Sequence, residues 1–372
     1  MRLKINTGEF KDMVSKVIKG ASSDKNAYIT QLMSIELKDN VLTLTTTDTN
    51  NYLYIKKDKV AYDGDGFYAV VPVDKFSKLI SKLTCDEVTL ETKFSDKGEL
   101  DKLIVKGNGS YTIELPYDED GELVEFPDPL SDDDSTWSTA EVKLSTIHLL
   151  LTTAKASLAQ TQDRTSPYTG YYAGDKVVTS DSFKICGIDI KLFDEPKLIP
   201  SEVMDLLDVV QEENIEVRYN DSNIIFSTST VDVYGSLKDS IGEFKIDAIS
   251  ALLEEPFGSS CVVDKSDLLQ TLDRLALFVG VNDKNGVYVT FTKKGINIST
   301  KREGGDEIIP YIISNNFTEY TCCIDIKMLI QQVKANMANT IEIFYGKEST
   351  LKLVDGSVTQ IIALADDERE DE

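Results

Sequence analysis

The sequence is poor in the side chains that most catalytic chemistry needs. It has a single histidine, His148, in 372 residues, which leaves little material for a zinc site or a histidine-based triad. His148 lies in "STIHLLLTTAKAS", on the polar side of a predicted helix. There is no P-loop, no GxGxxG and no GxSxG, so nucleotide-dependent and hydrolase chemistries have no motif to rest on. Five cysteines, Cys85, Cys186, Cys261, Cys322 and Cys323, make an odd number without CxxC spacing. The adjacent pair in "YTCCIDI" reads as small buried side chains, and a reducing, cytoplasmic setting is expected. No stretch approaches the ~20 apolar residues of a membrane span. The opening "MRLKINTGEF" has no apolar signal core, so export is not expected. Carboxylates are abundant, but only because acids are abundant. No enzyme, no cofactor and no metal is expected.

Positive charge is also scarce, with 39 Lys and Arg against 64 Asp and Glu and a formal charge of −25. Such a balance argues against nucleic acid, whose affinity comes largely from neutralised phosphates. Net charge is only a sum, however, and one surface can be basic on an acidic protein. The stretch "PVDKFSKLISKLT", residues 72–84, shows how. Pro72 and Asp74 signal a helix start, and Phe76, Leu79, Ile80 and Leu83 recur at the spacing of a core face. Lys75, Lys78 and Lys82 fall on a separate stripe. One such stripe reads as a solvated face; recurrence changes its meaning.

The pattern does recur, because the chain repeats itself three times. "VPVDKFSKLISKLTCDEVTLETK" has counterparts in "IPSEVMDLLDVVQEENIEVRYN" and "IDIKMLIQQVKANMANTIEIFYG". Each reads as a short strand, an amphipathic helix and an alternating strand, with further strand-like runs behind. "LKINTGEFKDMVSKVIKGAS", "VKLSTIHLLLTTAKASLAQ" and "CVVDKSDLLQTLDRLALFVG" correspond in the same way. Each is a strand, a cap-like Thr, Ser or Asp, and a helix. Paired strands follow, with hairpin turns at Asp39-Asn40, Gly174-Asp175 and Lys294-Gly295. The expected class is α+β, three tandem domains over 1–128, 129–252 and 253–372, each with two helices packed on antiparallel sheets. Acidic joins separate them, "PYDEDGELVEFPDPLSDDDSTW" and, less distinctly, "IDAISALLEEPFGSS".

Four of the six expected helices turn basic residues away from their cores. The first sets Lys11, Lys16 and Lys19 opposite Phe10, Met13, Val14, Val17 and Ile18. In the third repeat Gln270 and Arg274 oppose Leu268, Leu272 and Leu275, and the last helix carries Lys327, Gln331 and Lys334. A shared phosphate-facing surface is the better reading of this recurrence. The middle repeat departs, with Glu202, Asp205, Asp208, Glu212 and Glu213 on one helix and only Lys197 and Lys155 as nearby cations. In "LLQTLDRLALFVG" the core face is filled by Leu268, Leu269, Leu272, Leu275 and Val279, so Leu277 and Phe278 point off it, as interface residues do and as frayed helix ends folded back onto loops also do.

Three repeats, paired helices and acidic joins at this length resemble the bacterial-type beta sliding clamp, the processivity ring of replicative DNA polymerases. "MRLKINTGEFKDMVSKV" with "LTLTTTDTN" looks like that family's opening strand, helix and LxLxATDxE run. "VVTSDSFKICGI" resembles its ATDGHRLA segment, and "VYGSLKDSIGEFKID" its SRLIEGxFPDY segment. The resemblance implies a head-to-tail homodimer closed into a ring, with helices lining the hole and holding double-stranded DNA through phosphates without reading bases. It also implies a replicative DNA polymerase and an ATP-driven clamp loader as partners, with no membrane and no catalytic residues. By position, Lys25 in "ASSDKNAYI" matches a DNA-contacting residue. Phe278 and Val279 match the subunit interface, meeting Tyr111 and Ile113 of "SYTIELP" in the other copy. The partner-peptide pocket falls on Tyr168, Ser180, Ser182, Phe183, Lys184 and Ile185, with Ile361, Ala363 and, in another register, Leu364. The family's Gly-His-Arg is Ser182-Phe183-Lys184 here, its terminal Met-Pro run is replaced by "IIALADD", and an acidic tail, "DDEREDE", follows. Such divergence suggests a phage or mobile-element form. The rival reading is a non-enzymatic acidic repeat scaffold for basic protein partners.

Overall fold

Helices begin where a short polar side chain can take the first free backbone N–H groups. The Asn6 carboxamide accepts from Gly8 and Glu9 at the start of α1 (Thr7–Val17), one residue before the threonine that the sequence suggested. Pro72 precedes α2 (Val73–Lys82). The others are α3 (Leu144–Thr152), α4 (Ser201–Leu206), α5 (Ile246–Glu254), α6 (Lys265–Leu275) and α7 (Ile326–Ala335). The Asp264 and Asp325 carboxylates cap α6 and α7 by accepting backbone N–H bonds. A computed structural model describes residues 2–22, 27–94, 100–118, 120–127, 129, 136–161, 163, 165–280, 286–301 and 304–365.

The chain divides into two compact units, and both take a share of the middle repeat. The first lies within Met1–Leu144 and Glu202–Leu237, the second within Ser145–Ser201 and Lys238–Glu372. Every strand pairing is antiparallel, and the sheets explain the division. In the first unit an eight-stranded sheet seats the middle repeat's Val231–Ser236 beside the first repeat's Asn51–Lys57, with Val231 opposite Ile55 and Gly235 opposite Asn51. In the second unit a nine-stranded sheet seats Lys184–Ile188 beside the third repeat's Val358–Ala363, with Ile185 opposite Ile361. Hydrogen-bonded ladders thus cross the repeat boundaries, where the sequence showed only joins.

Each unit keeps one shorter sheet. That of the first has five strands and ends on Ser110–Glu114; that of the second has four and ends on Asp306–Ile309. Turn chemistry is as read at Asp39-Asn40, whose φ values of 50° and 65° suit a two-residue hairpin loop.

Within each unit one pair of helices packs together over the sheets, α1 with α2 and α6 with α7. Phe10 of α1 meets Phe76 of α2 edge to face, with ring centroids 6.1 Å apart. In the second unit Leu268, Leu272 and Leu275 of α6 and Leu329 and Val333 of α7 share one core with Phe291 and Tyr345, whose rings stack at 3.9 Å. The segment read as an acidic join contains α5. Its Ile249 and Leu253 are buried on the nine-stranded sheet in a cluster with Ile185 and Ile361, where Gly187 leaves room for Leu253. Among the described residues no helix is long and apolar enough to cross a membrane.

Candidate nucleic-acid and peptide interfaces

The helical core faces leave the cations outward. Lys75, Lys78 and Lys82 are exposed on α2, while Phe76 and Ile80 are buried. Lys11 and Lys78 flank a shallow groove of about 380 Å³ between α1 and α2, floored by Val14, Ile18 and Ile80. On α6 and α7, Arg274, Lys327 and Lys334 are exposed, as is Lys155 on the turn Ala154–Ser157. His148 is exposed on α3, as expected.

Five of the expected cations already hold a carboxylate. Lys16 and Lys78 each pair with an aspartate one turn earlier, Asp12 at 2.7 Å and Asp74 at 2.6 Å. Lys19 reaches Asp208 at 2.7 Å, and Lys334 reaches Asp273 at 3.3 Å. The Arg274 guanidinium forks onto Glu307, 2.9 Å from Nε and 2.5 Å from Nη2. That guanidinium holds the Glu307 carboxyl below the usual carboxylate range. Lys11, Lys75, Lys82 and Lys327 have no carboxylate within ion-pair distance among the described residues.

Two of the expected phosphate contacts, Lys197 and Lys25, do not stand with these. Lys197 is a correction: it is buried on the strand Lys197–Pro200, its ammonium 3.7 Å from the Glu195 carboxylate. Sheet pairing with Gly170–Ala173 turns it inward, so it offers no charge on a helix face. Lys25 lies outside the described residues, as does the acidic tail.

Of the residues expected for peptide binding, Tyr168, Ile185 and Ile361 meet in one cluster on the nine-stranded sheet. Ile185 and Ile361 face each other across the ladder and form one apolar cluster with Val178, Leu198, Phe244, Ile249 and Leu253, against which Tyr168 and Tyr172 pack. The Phe244 ring lies 5.3 Å from both tyrosine rings. At the rim, the Asp181 carboxylate accepts from the Phe183 and Lys184 N–H groups. This tight turn puts Ser182 at a φ of 77°, a conformation that suits glycine. Phe183 is left 59% exposed, while its carbonyl accepts from the Ala363 N–H at 2.8 Å. Leu364 packs instead toward the α6–α7 core. Ser180 is buried.

Lys184 also departs from its expected role. It is buried, and its ammonium donates to the Ala156 carbonyl and Gln331 Oε1 and pairs with Asp181. Its charge is consumed inside the protein. Sequence reasoning missed Ile241, Phe244, Ile246 and Tyr172, which line a neighbouring groove of about 610 Å³. "IGEFKIDAI" had been matched only as a family segment, although its apolar spacing carried the signal.

The expected interface residues divide similarly. Leu277 is 81% and Phe278 58% exposed, with Val279 half-buried against the core behind them. Tyr111 is partly exposed on the end strand Ser110–Glu114. Ile113 is a correction: it shares a strand face with Tyr111, but it is buried in its own protomer at 1% exposure. Ile308, 59% exposed on the other end strand, was not anticipated.

No protein-family model matches the sequence, and no curated protein matches it. Solved structures do match. The DNA polymerase III beta subunit of Thermotoga maritima superposes with a TM-score of 0.81 at 18% identity, covering 98% of this chain and 99% of that one. The beta subunit of Borrelia burgdorferi, solved with a natural product, gives 0.83 at 14% identity over 98% and 99%. The DNA polymerase sliding clamp of Bacillus subtilis gives 0.78 at 16% over 99% of both chains. Likeness at these identities establishes the fold: the chain has the α+β clamp fold, with three domains of antiparallel sheets and helices.

Proposed function

We propose that this chain is a DNA sliding clamp. Two copies associate head to tail into a ring that encircles duplex DNA without sequence preference and tethers a replicative polymerase. The observation that carries the reading is the recurrence of outward cations on paired helices in both units, above all Lys11, Lys75, Lys82 and Lys327. Phosphate contacts of this kind position a protein on a duplex without reporting base identity. The clamp fold over the full chain supports the same reading.

Subunit association would use the two short sheets. Each ends on a strand whose outer edge has no partner among the described residues, Ser110–Glu114 in one unit and Asp306–Ile309 in the other. Joining them between copies would give nine strands, matching the nine-stranded sheet already present. Leu277, Phe278 and Ile308 supply exposed apolar surface for that contact. The domains would be those of the repeats, 1–128, 129–252 and 253–372. The Tyr168, Phe183, Phe244, Ile361 and Ala363 neighbourhood would receive short apolar peptides from the polymerase and from an ATP-driven loader.

The test is retention on two DNA topologies, a nicked circle and the same molecule linearised, after loading or spontaneous opening. Loss from the linear form alone is the expected result. Equal loss from both would replace encirclement by surface binding. Binding to neither, under conditions that allow loading, would favour an acidic scaffold for basic proteins.

A further inference from the structure

Cations meant for phosphates need not already be held by the protein's own acids, yet here five of them are. Asp12, Asp74, Asp208, Asp273 and Glu307 hold Lys16, Lys78, Lys19, Lys334 and Arg274. The Lys19–Asp208 pair joins residues 189 apart in sequence. It draws its acid from the 3-10 turn Leu207–Val209, just after α4, so the acidic middle repeat has a task on this face. We propose that these carboxylates are built-in counterions, displaced by phosphates as duplex DNA moves past. They keep the grip weak and shallow in its dependence on salt. The inference rests on the DNA-facing reading of these helices.

The physical argument concerns what is released. A solvated lysine that meets a phosphate lets the DNA shed a condensed cation, which makes binding favourable and steeply salt-dependent. A lysine that must first leave a carboxylate exposes an uncompensated acid beside the phosphates, and that repulsion cancels much of the gain. The pairs can exchange because exposed ion pairs are weak, commonly under about 1 kcal/mol. In the Asp12–Lys16 and Asp74–Lys78 pairs the acid stands one turn before the base, the more favourable order on a helix. The strength of the grip is then set by the lysines without a carboxylate, Lys11, Lys75, Lys82 and Lys327.

The experiment measures equilibrium binding of a short fluorescent linear duplex as salt is raised. It compares the full chain with the double variant Asp74→Asn/Asp273→Asn. Asp267→Asn serves as control, because Asp267 is an exposed acid on α6 with no cation paired to it among the described residues. The double variant should bind more tightly at low salt. It should lose roughly tenfold more affinity per protomer than the parent over a fourfold rise in salt, as two added phosphate contacts require. The control should keep the parental slope. An unchanged slope in the double variant, or an equal change in the control, overturns the inference while leaving the DNA-facing reading in place. No duplex binding by any folded variant at any salt removes that reading, and the inference with it.

Discussion

Leu277 and Phe278 offer the cleanest perturbation, because most of their surface is spare in the protomer. They are 81% and 58% exposed, so truncating both to alanine removes little folded-state packing. Complete burial of such a side chain stabilises by about 1.5–3 kcal/mol. Scaled by the exposed fractions, the pair stands to gain roughly 2–4 kcal/mol at each interface. That corresponds to a weakening of about 30- to 700-fold per interface. A head-to-tail dimer has two such interfaces, so the dissociation constant should rise by at least about a thousandfold. Sedimentation velocity over a dilution series reads this directly: the parent should be a dimer where Leu277→Ala/Phe278→Ala is a monomer. Thermal unfolding of the variant at the same concentration should still be cooperative. A variant that dissociates no more readily than the parent would refute the assignment of these residues. A parent that is monomeric throughout would refute the dimer.

Three other outcomes follow from burial and titration. Phe183→Ser should leave the unfolding free energy within about 0.5 kcal/mol of the parent, because Phe183 is 59% exposed, whereas Phe244→Ala should cost about 3–5 kcal/mol, because Phe244 is 3% exposed; equal effects by urea unfolding would show that Phe183 is structural. Burial pushes the Cys186 and Cys261 thiols up to about 12, and Cys322 and Cys323 are also buried; a thiol reagent at neutral pH should therefore find only half-buried Cys85 before unfolding, and fast reaction of a second thiol would contradict the packing. Burial also raises Tyr320 and Tyr345 from 10.0 to about 12. A proton bound more tightly in the folded state gives stability that is complete below about pH 10 and lost as pH rises through about 12. For fully buried Tyr345 this is on the order of 2–3 kcal/mol, and a chain whose unfolding midpoint is flat from pH 9.5 to 12 by tyrosinate absorbance would disprove the packing around Phe291.

Local chemistry was legible in the sequence wherever the partner lay close along the chain. The Asp39-Asn40 turn, the alternating strands and the faces of α1, α2, α6 and α7 could be read because periodicity and turn preference act over a few residues. The Asp12–Lys16 and Asp74–Lys78 pairs were readable on the same basis, at one helical turn, although attention to the lysines alone passed over the acids. What could not be read depended on the ladders. Helix α5 reads as a join because "IDAISALLEE" is short and ends in acids; the sheet beneath Ile249 and Leu253 makes it a packed helix. Lys197 looked like a lone cation before an acidic helix, and only the strand beside it turns the side chain inward. Tyr111 and Ile113 stand two residues apart and so share one face of their strand, and only the tertiary packing shows that this face is closed over at Ile113 and still open at Tyr111.

A charge of −25 then ceases to count against DNA once distance is considered. At physiological salt an exposed charge is felt over about 8 Å, so a phosphate near a helix face responds to that face and not to the sum. The acids closest to the expected phosphate contacts are Asp12, Asp74, Asp208, Asp273 and Glu307, each within an ion pair. Those pairs are nearly neutral at any useful distance, and the remaining field comes from Lys11, Lys75, Lys82 and Lys327. Of the five, Arg274–Glu307 is the bidentate pair: the guanidinium forks onto both carboxylate oxygens and holds the Glu307 carboxyl below the usual carboxylate range, so it is the pair that phosphate displaces least readily.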